Sequence, residues 1–410
     1  MTLDLDFVRS QFPAFSEPTL DGWAFFENAG GSYPCIQMID KLTHFYLKNK
    51  VQPYYPYPAS IKGGQQMDNS YNKMAAYLNV LPEEIHFGPS TTQNVYVLAQ
   101  AMRKMWDQDD EIIVSCQDHE ANAGAWRRLE EFGYRIIEWH VNSDTGVLSL
   151  DDLNALISSR TKMIAFPHCS NVIGHINPVK EISRIAHQHD AISVVDGVGY
   201  APHGFPDLKD LEADIYMFSL YKTFGPHLGL MYVDKDLITK MTNQSHFFKE
   251  GVSKSMLTPA GPDHAQIASV SGIIDYFDKV HKHHFDEEVT PEIRNNQLRD
   301  LFREHETELL ETLLDFLKSR NDIEIVGPDS SKERLPIVSI IPKKKKLMAV
   351  YEALTKHKLM LGYGDFYAVR PLMDMEIPLK PGVIRMSFLH YTSADEIDQL
   401  IEGLKMALKD

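Results

Sequence analysis

The sequence is poor in several features that would mark whole classes of protein. It has three cysteines in 410 residues, Cys35, Cys116 and Cys169, odd in number, far apart and never in a CxxC pair. That argues against a disulfide framework and against a zinc site. No apolar run approaches the roughly 18 residues needed to span a bilayer. Positive charge is in deficit, with 41 Lys and Arg against 57 Asp and Glu and a net charge of -16. This balance argues against a nucleic-acid partner, whose phosphates call for a basic face, and against an anionic membrane surface. The opening residues, MTLDLDFVRSQFPAF, lack the basic-then-apolar order of a signal peptide. The expectation is a cytoplasmic protein whose partners are small molecules and copies of itself.

What is present is ordinary for a globular protein, 43% hydrophobic and 24% charged, on a chain long enough for two domains. Glu111 to Ser115, Arg135 to His140, Lys162 to Phe166, Ala191 to Val195, Ile215 to Phe218 and Gly229 to Val233 read as buried strands. Helical patterns lie between them at Ala123 to Phe132, Leu150 to Ser159 and Val179 to Gln188. Alternating strand and helix predicts an α/β fold with a mostly parallel sheet covered on both faces. Beyond Gly272 the texture changes. A charged, helix-rich stretch from Ile273 to Asn321 is broken at Thr290-Pro291. Then come a strand (Leu335 to Ile341), a helix (Lys346 to His357), a strand (Val383 to Ser387) and a final helix capped by Ser393. The division is an N-terminal segment, 1–20, packing with the small domain, a large domain, 21–272, and a smaller α+β domain, 273–410.

In a parallel sheet, ligands bind beyond the carboxyl ends of the strands. Ser90, Thr91, Thr92 and Gln93 follow one predicted strand and open a helix; Asp118 and His119, Asn171, Asp196, and Ser219 with Tyr221 and Lys222 end or follow others. Alone, Lys222 reads as a surface turn, but lysine heads between hydrophobic strands are rarely buried without a partner. Together the residues suit a phosphorylated pyridine aldehyde. A helix N-terminus with hydroxyls binds phosphate, and an imidazole stacks on a ring. A carboxylate keeps a pyridinium nitrogen charged, and a lysine of depressed pKa forms a Schiff base.

The ordered segments NAGGS (28–32), STTQNV (90–95), DHEANAGAW (118–126), SNVIGHINPV (170–179), VVDGVGYAPH (194–203) and YKTFGPHLG (221–229) resemble the class V aminotransferase family. These are fold-type I pyridoxal-phosphate (PLP) enzymes that include cysteine desulfurases and selenocysteine lyases. The resemblance covers nearly the whole chain. It implies a seven-stranded, mostly parallel sheet in the large domain, PLP as cofactor and a homodimer. It implies that Lys222 carries the Schiff base and shuttles protons, that Asp196 pairs with the ring nitrogen, that His119 stacks on the ring and that Asn171 lies near the ring hydroxyl. It also implies that Thr91, Thr92, Ser219 and Tyr221 hold the phosphate. Arg385 would take a substrate carboxylate beside Asn28, Ala29 and Gly30. No metal is implied.

The chain departs from the family in places. The loop Leu361 to Ala368 has Tyr367 where desulfurases carry a persulfide cysteine. Tyr367 either serves as a general acid or closes the site. Gly199 stands where relatives place Gln or His against the cofactor, leaving that spot open or filled by Tyr200. Pro53 to Pro58 reads as a polyproline-like connector, or places Tyr54, Tyr55 or Tyr57 against the substrate. The activity expected is C–S or C–Se lysis of a cysteine derivative without a persulfide relay; transamination and epimerisation of an α-amino acid are the alternatives.

Overall fold

Strands of alternating branched residues, apolar on both faces, have to be covered twice, and the computed structural model shows how. It describes residues 2–409; positions 1 and 410, the outer limits of the division above, lie outside the described residues. Among the described residues the central sheet has seven strands, in the order Ile85–Gly88, Gly229–Val233, Ile215–Ser219, Ile192–Asp196, Thr161–Pro167, Glu111–Ser115 and Arg135–Trp139. Gly229–Val233 runs antiparallel to both of its neighbours, and the remaining pairings are parallel. Successive side chains leave opposite faces. Ile113, Ile164, Val195 and Phe218 therefore enter one buried cluster, and Ile112, Val114, Met163, Val194 and Met217 enter another on the far face.

Helix Val179–Gln188 has the expected bounds. The helix expected from Ala123 starts earlier, at Glu120, because His119 caps it, and tightens to a 3-10 turn at Arg128 before Gly133 (φ +92°). The helix from Leu150 stops at Leu156. Helix His264–His284 crosses position 272 without a break and packs on Ile36–His44 and Pro58–Leu78 of the large domain. Thr290 does interrupt the following stretch; its hydroxyl caps helix Pro291–Lys318.

The C-terminal part carries a four-stranded antiparallel sheet in the order Gly362–Gly364, Val383–Ser387, Ile337–Pro342 and Ile323–Val326. The last helix, Ala394–Ala407, is closed by a capping box between Ser393 and Glu396. The N-terminal segment touches both parts. Val8 and Phe12 enter the large-domain core, while Arg9 pairs with Glu396 at 2.8 Å. No helix among the described residues is long and apolar enough to cross a membrane.

Pro53 to Pro58 is not a polyproline stretch. Tyr54 takes a positive φ of 70°, the Tyr55 N–H donates to Ser60 Oγ at 2.7 Å, and Pro58 opens helix Pro58–Leu78. Tyr54, Tyr55 and Tyr57 are exposed. Tyr54 reaches Asp68 at 3.1 Å and the other two stack on each other at 6.1 Å. Within one chain none of the three lines the cavity described next.

Candidate active site

The carboxyl ends of the parallel strands open on one cavity. Its inner part is lined by Ser90, Thr91, Thr92, Asp118, His119, Asn171, Asp196, Ser219, Tyr221 and Lys222. Its outer part adds Glu27, Ala29, Gly30, Phe366, Tyr367 and Arg385. With one exception, the structure brings the candidate residues together.

At one end, Ser90 caps helix Thr91–Met102 by accepting from the Gln93 N–H at 3.2 Å. Thr91 Oγ1 lies 2.8 Å from Ser219 Oγ. Gly229 lies directly beneath: a Cβ there would stand 2.4 Å from the Ser90 carbonyl carbon, so only glycine lets the reversed strand run under this helix start. Exposed amides at a helix start together with hydroxyls make an anion cradle. Tyr221 forms its side wall, stacked on His227 at 4.6 Å. His227 thus acts through packing.

At the floor, Asp196 ends its strand and accepts from the Val198 N–H at 2.8 Å. Burial pushes its pKa up to about 6, against a lowering by the Val198 N–H and the Lys222 charge. Asp118, whose pKa burial and the Asp196 charge hold well above the carboxylate range, accepts from Asn122 at 2.6 Å. Two buried carboxyls this close resist ionising together. A cation held beside them is therefore favoured. His119 accepts from the Ala121 N–H through Nδ1 at 2.9 Å. Burial, then the Lys222 and Arg385 charges, lower its pKa to about 3. It is a neutral ring available for stacking.

Lys222 sits on the turn after Ser219 and is buried. Burial and the Arg385 charge lower its pKa to about 8, opposed by Asp196 and Glu27. An amine so tuned is a nucleophile near neutral pH. The same tuning costs stability. Below pH 8 the folded chain must bury the ammonium, whereas the unfolded chain stays protonated up to its ordinary 10.5. Lys222→Met is therefore expected to stabilise the cofactor-free chain below pH 8 by roughly 2–3 kcal/mol, an advantage that vanishes as pH rises from 8 to 10.5. Denaturant unfolding at pH 7 and pH 10 checks it.

Asn171 donates from Nδ2 to the Phe366 carbonyl at 3.0 Å, while its buried Oδ1 has no partner. A buried orphan acceptor aimed at this cavity suits a ligand hydroxyl. Asn28 is the exception. Its amide is spent on the Phe25 and Ser387 carbonyls at 3.2 and 3.1 Å and on the Tyr391 hydroxyl, and it lines neither part of the cavity. Ala29 and Gly30 do line it. Tyr200 does not fill the space beside Gly199; it stacks on His168 at 3.5 Å, facing away. A Cβ at Gly199 would stand 2.5 Å from the Cys169 carbonyl oxygen. Gly199→Ala is expected to cost about 1–3 kcal/mol through backbone displacement, read as a lowered Tm.

Glu27 and Phe366 were not singled out by sequence reasoning, because they come from distant segments; Asp118 was gathered with His119 at its strand end but given no role. One cluster among the described residues, Cys116, Glu138 and His140, has atoms spaced for a metal ion at the sheet edge. Glu138 there is already paired with Arg127 and Arg370.

The family model for aminotransferase class-V matches residues 24–288 and 292–400. The chain belongs to the class V aminotransferase family. It is 31% identical over 418 residues to the aminotransferase-like protein FGM3 of Gibberella zeae, covering 99% of each. It is 30% identical to the cysteine desulfurase-like protein ustD of Aspergillus flavus, covering 96% of this chain and 88% of that one. The apo structure of a cysteine desulfurase from Thermococcus onnurineus shares its fold, with a TM-score of 0.85 at 21% identity over 100% of this chain and 99% of that one. As a member of this family of PLP-dependent enzymes, the chain is a desulfurase-like enzyme.

Proposed function

We propose that this chain holds PLP and uses it to release a sulfur- or selenium-bearing group from the β-carbon of an α-amino acid. The observation that carries this reading is one cavity with a buried amine of lowered pKa, Lys222, a buried carboxyl, Asp196, and the Thr91–Ser219 anion cradle at its end. In this reading Thr91, Thr92, Ser219 and Tyr221 hold the phosphate, His119 covers the ring and Asn171 Oδ1 takes its hydroxyl. Asp196 holds the proton on the ring nitrogen. The bound cofactor supplies an electron sink beside the substrate α-carbon. Lys222 Nζ takes the α-proton and holds it within the buried site. Arg385, with Ala29 and Gly30 beside it, orients the carboxylate.

Three observations support direct release over a persulfide relay. The three cysteines are buried. Burial pushes each thiol up to about 12. The loop beside His119 carries Tyr367, its ring 5.4 Å away and 71% exposed. A phenol there can protonate a leaving group or shield the site; it cannot accept sulfur. The desulfurases among its relatives favour lysis, though FGM3, an aminotransferase-like protein, keeps transamination as the second reading. The exposed Tyr46, Leu47, Tyr54, Tyr55 and Tyr57 support a homodimer; light scattering of the purified protein is expected to give twice the 46.8 kDa chain mass. Three unpaired buried cysteines suit a reducing cytoplasm.

The test is incubation with cysteine, cysteine sulfinate and S-substituted cysteines. From cysteine and S-substituted cysteines the expected products are pyruvate, ammonia and sulfide or a thiol; from cysteine sulfinate they are alanine and sulfite. Amino transfer to a keto acid would establish transamination, and α-proton exchange with inverted chirality would establish epimerisation.

A further inference from the structure

Arg385, the residue placed to take a substrate carboxylate, already holds one. Its Nη2 donates to Glu27 Oε1 at 2.6 Å and its Nη1 donates to the Asn171 carbonyl at 3.0 Å. The Phe366 ring packs 3.8 Å from its Cζ. Its Nε is buried without a partner, and so is Glu27 Oε2. Each terminal nitrogen thus already donates to an internal acceptor, and the position facing Nη2 is filled by Glu27 before any substrate carboxylate arrives to use the fork.

The pairing is built into the backbone. Glu27 is bridged to Ser387, and Arg385 lies two residues before Ser387 on strand Val383–Ser387. Side chains two apart on a strand share a face, so the bridge brings Glu27 alongside Arg385. Two glycines leave room for the carboxylate. A Cβ at Gly30 would stand 2.8 Å from Glu27 Oε1, and one at Gly362 would stand 2.8 Å from Oε2. The Arg385 side chain is 3% exposed and that of Glu27 30%. The arginine is therefore anchored, and the glutamate, on the cavity side, is the partner with room to leave.

We infer that Glu27 is a gate on Arg385: it occupies the carboxylate position in the resting site, and a substrate binds by displacing it. Resting on the amino-acid reading above, this makes Glu27 a specificity-determining residue. A ligand gains entry only if its carboxylate, helped by its other contacts, outcompetes an internal one. A ligand held by the carboxylate alone is rejected. The gate also keeps a buried cation neutralised while the site is empty, where an unpaired one would be costly.

The opposite role, in which Glu27 orients Arg385 for substrate, predicts the opposite sign, so one variant separates them. Propionate carries a carboxylate but no amine, and its binding to the purified holoprotein is read by ligand-observed NMR, independently of turnover. Glu27→Gln is expected to bind propionate at least about tenfold tighter than wild type, since one charge-assisted contact is freed. Glu27→Asp, which keeps the charge but withdraws it by one methylene, is expected to fall between them. Glu27→Gln combined with Arg385→Lys is expected to lose the gain. Equal or weaker binding by Glu27→Gln overturns the gate. A gain in propionate binding, with no amino acid perturbing the visible spectrum of either protein, leaves the gate standing and removes the amino-acid reading.

Discussion

Replacing Lys222 by alanine is expected to abolish the visible absorption band of the PLP-loaded protein and to lower turnover by at least about 10^4-fold, since both covalent attachment and proton transfer are lost. The size of the effect follows from the surroundings. Lys222 is a buried amine that lines the cavity and feels the charges of the Arg385 guanidinium and the Asp196 carboxyl. Arg385 lies in the same cavity, but it is held by Glu27 and by the Asn171 carbonyl, and a guanidinium is a poor base. Collapse of the fold would not explain the loss, because removing a buried cation relieves desolvation. Circular dichroism of the variant is expected to match wild type. A protein that keeps its band and its turnover without Lys222 would sink the assignment, as would a wild-type protein that stays colourless when PLP is supplied.

Asp196→Asn carries the second largest expected effect, a fall in kcat of about 10^2–10^4-fold with KM little changed. An amide fills the same space and still accepts from the Val198 N–H at the position held by Oδ1, so the strand end is preserved. What disappears is the negative charge that keeps a ring nitrogen protonated, and with it the sink for the α-carbon electrons. Steady-state kinetics of the two proteins with one substrate decide it; equal kcat values would show that Asp196 has only a structural part.

The pH dependence gives an independent check on the same carboxyl. In the free protein burial pushes Asp196 up to about 6, and burial with the Asp196 charge raises Asp118 beside it. Above pH 6 the charged form predominates and a ring cation is welcome; below it the carboxyl is neutral. Uptake of PLP by the cofactor-free chain is therefore expected to weaken as pH falls through about 6. In Asp196→Asn this dependence is expected to flatten, because the group that titrates has gone. A cofactor titration at pH 5, 6 and 7 compares the two.

Much of this arrangement was legible from local pattern. Short continuous apolar runs marked the parallel strands, and the carboxyl end of a parallel strand is where the next polar residues meet a ligand. Ser90, His119, Asp196 and Lys222 are therefore found by counting from strand ends. Ser393 was legible as a helix start, because a cap is a contact within three residues; Thr290-Pro291 was legible as a break, and the structure shows Thr290 capping the helix that follows. The misplaced boundaries have local causes too: His119 opens its helix three residues before the apolar pattern begins, since its ring accepts from the Ala121 N–H.

The sequence by itself determined the order of strands and helices, the chemistry of the groups at the strand ends and, through its ordered segments, the family. Tertiary structure alone decided which way the ambiguous side chains turn. Tyr200 leaves the site for His168, Asn28 spends its amide on backbone 359 residues away, and Tyr54 to Tyr57 remain on the surface of the single chain. The pairing of Glu27 with Arg385 joins residues 358 apart. Such choices depend on which distant carbonyl, ring or glycine gap lies opposite, and no period within a segment encodes that. Local sequence sets dihedrals and faces; long-range packing then determines which partner each polar atom finds, because a buried polar group left without one is expensive.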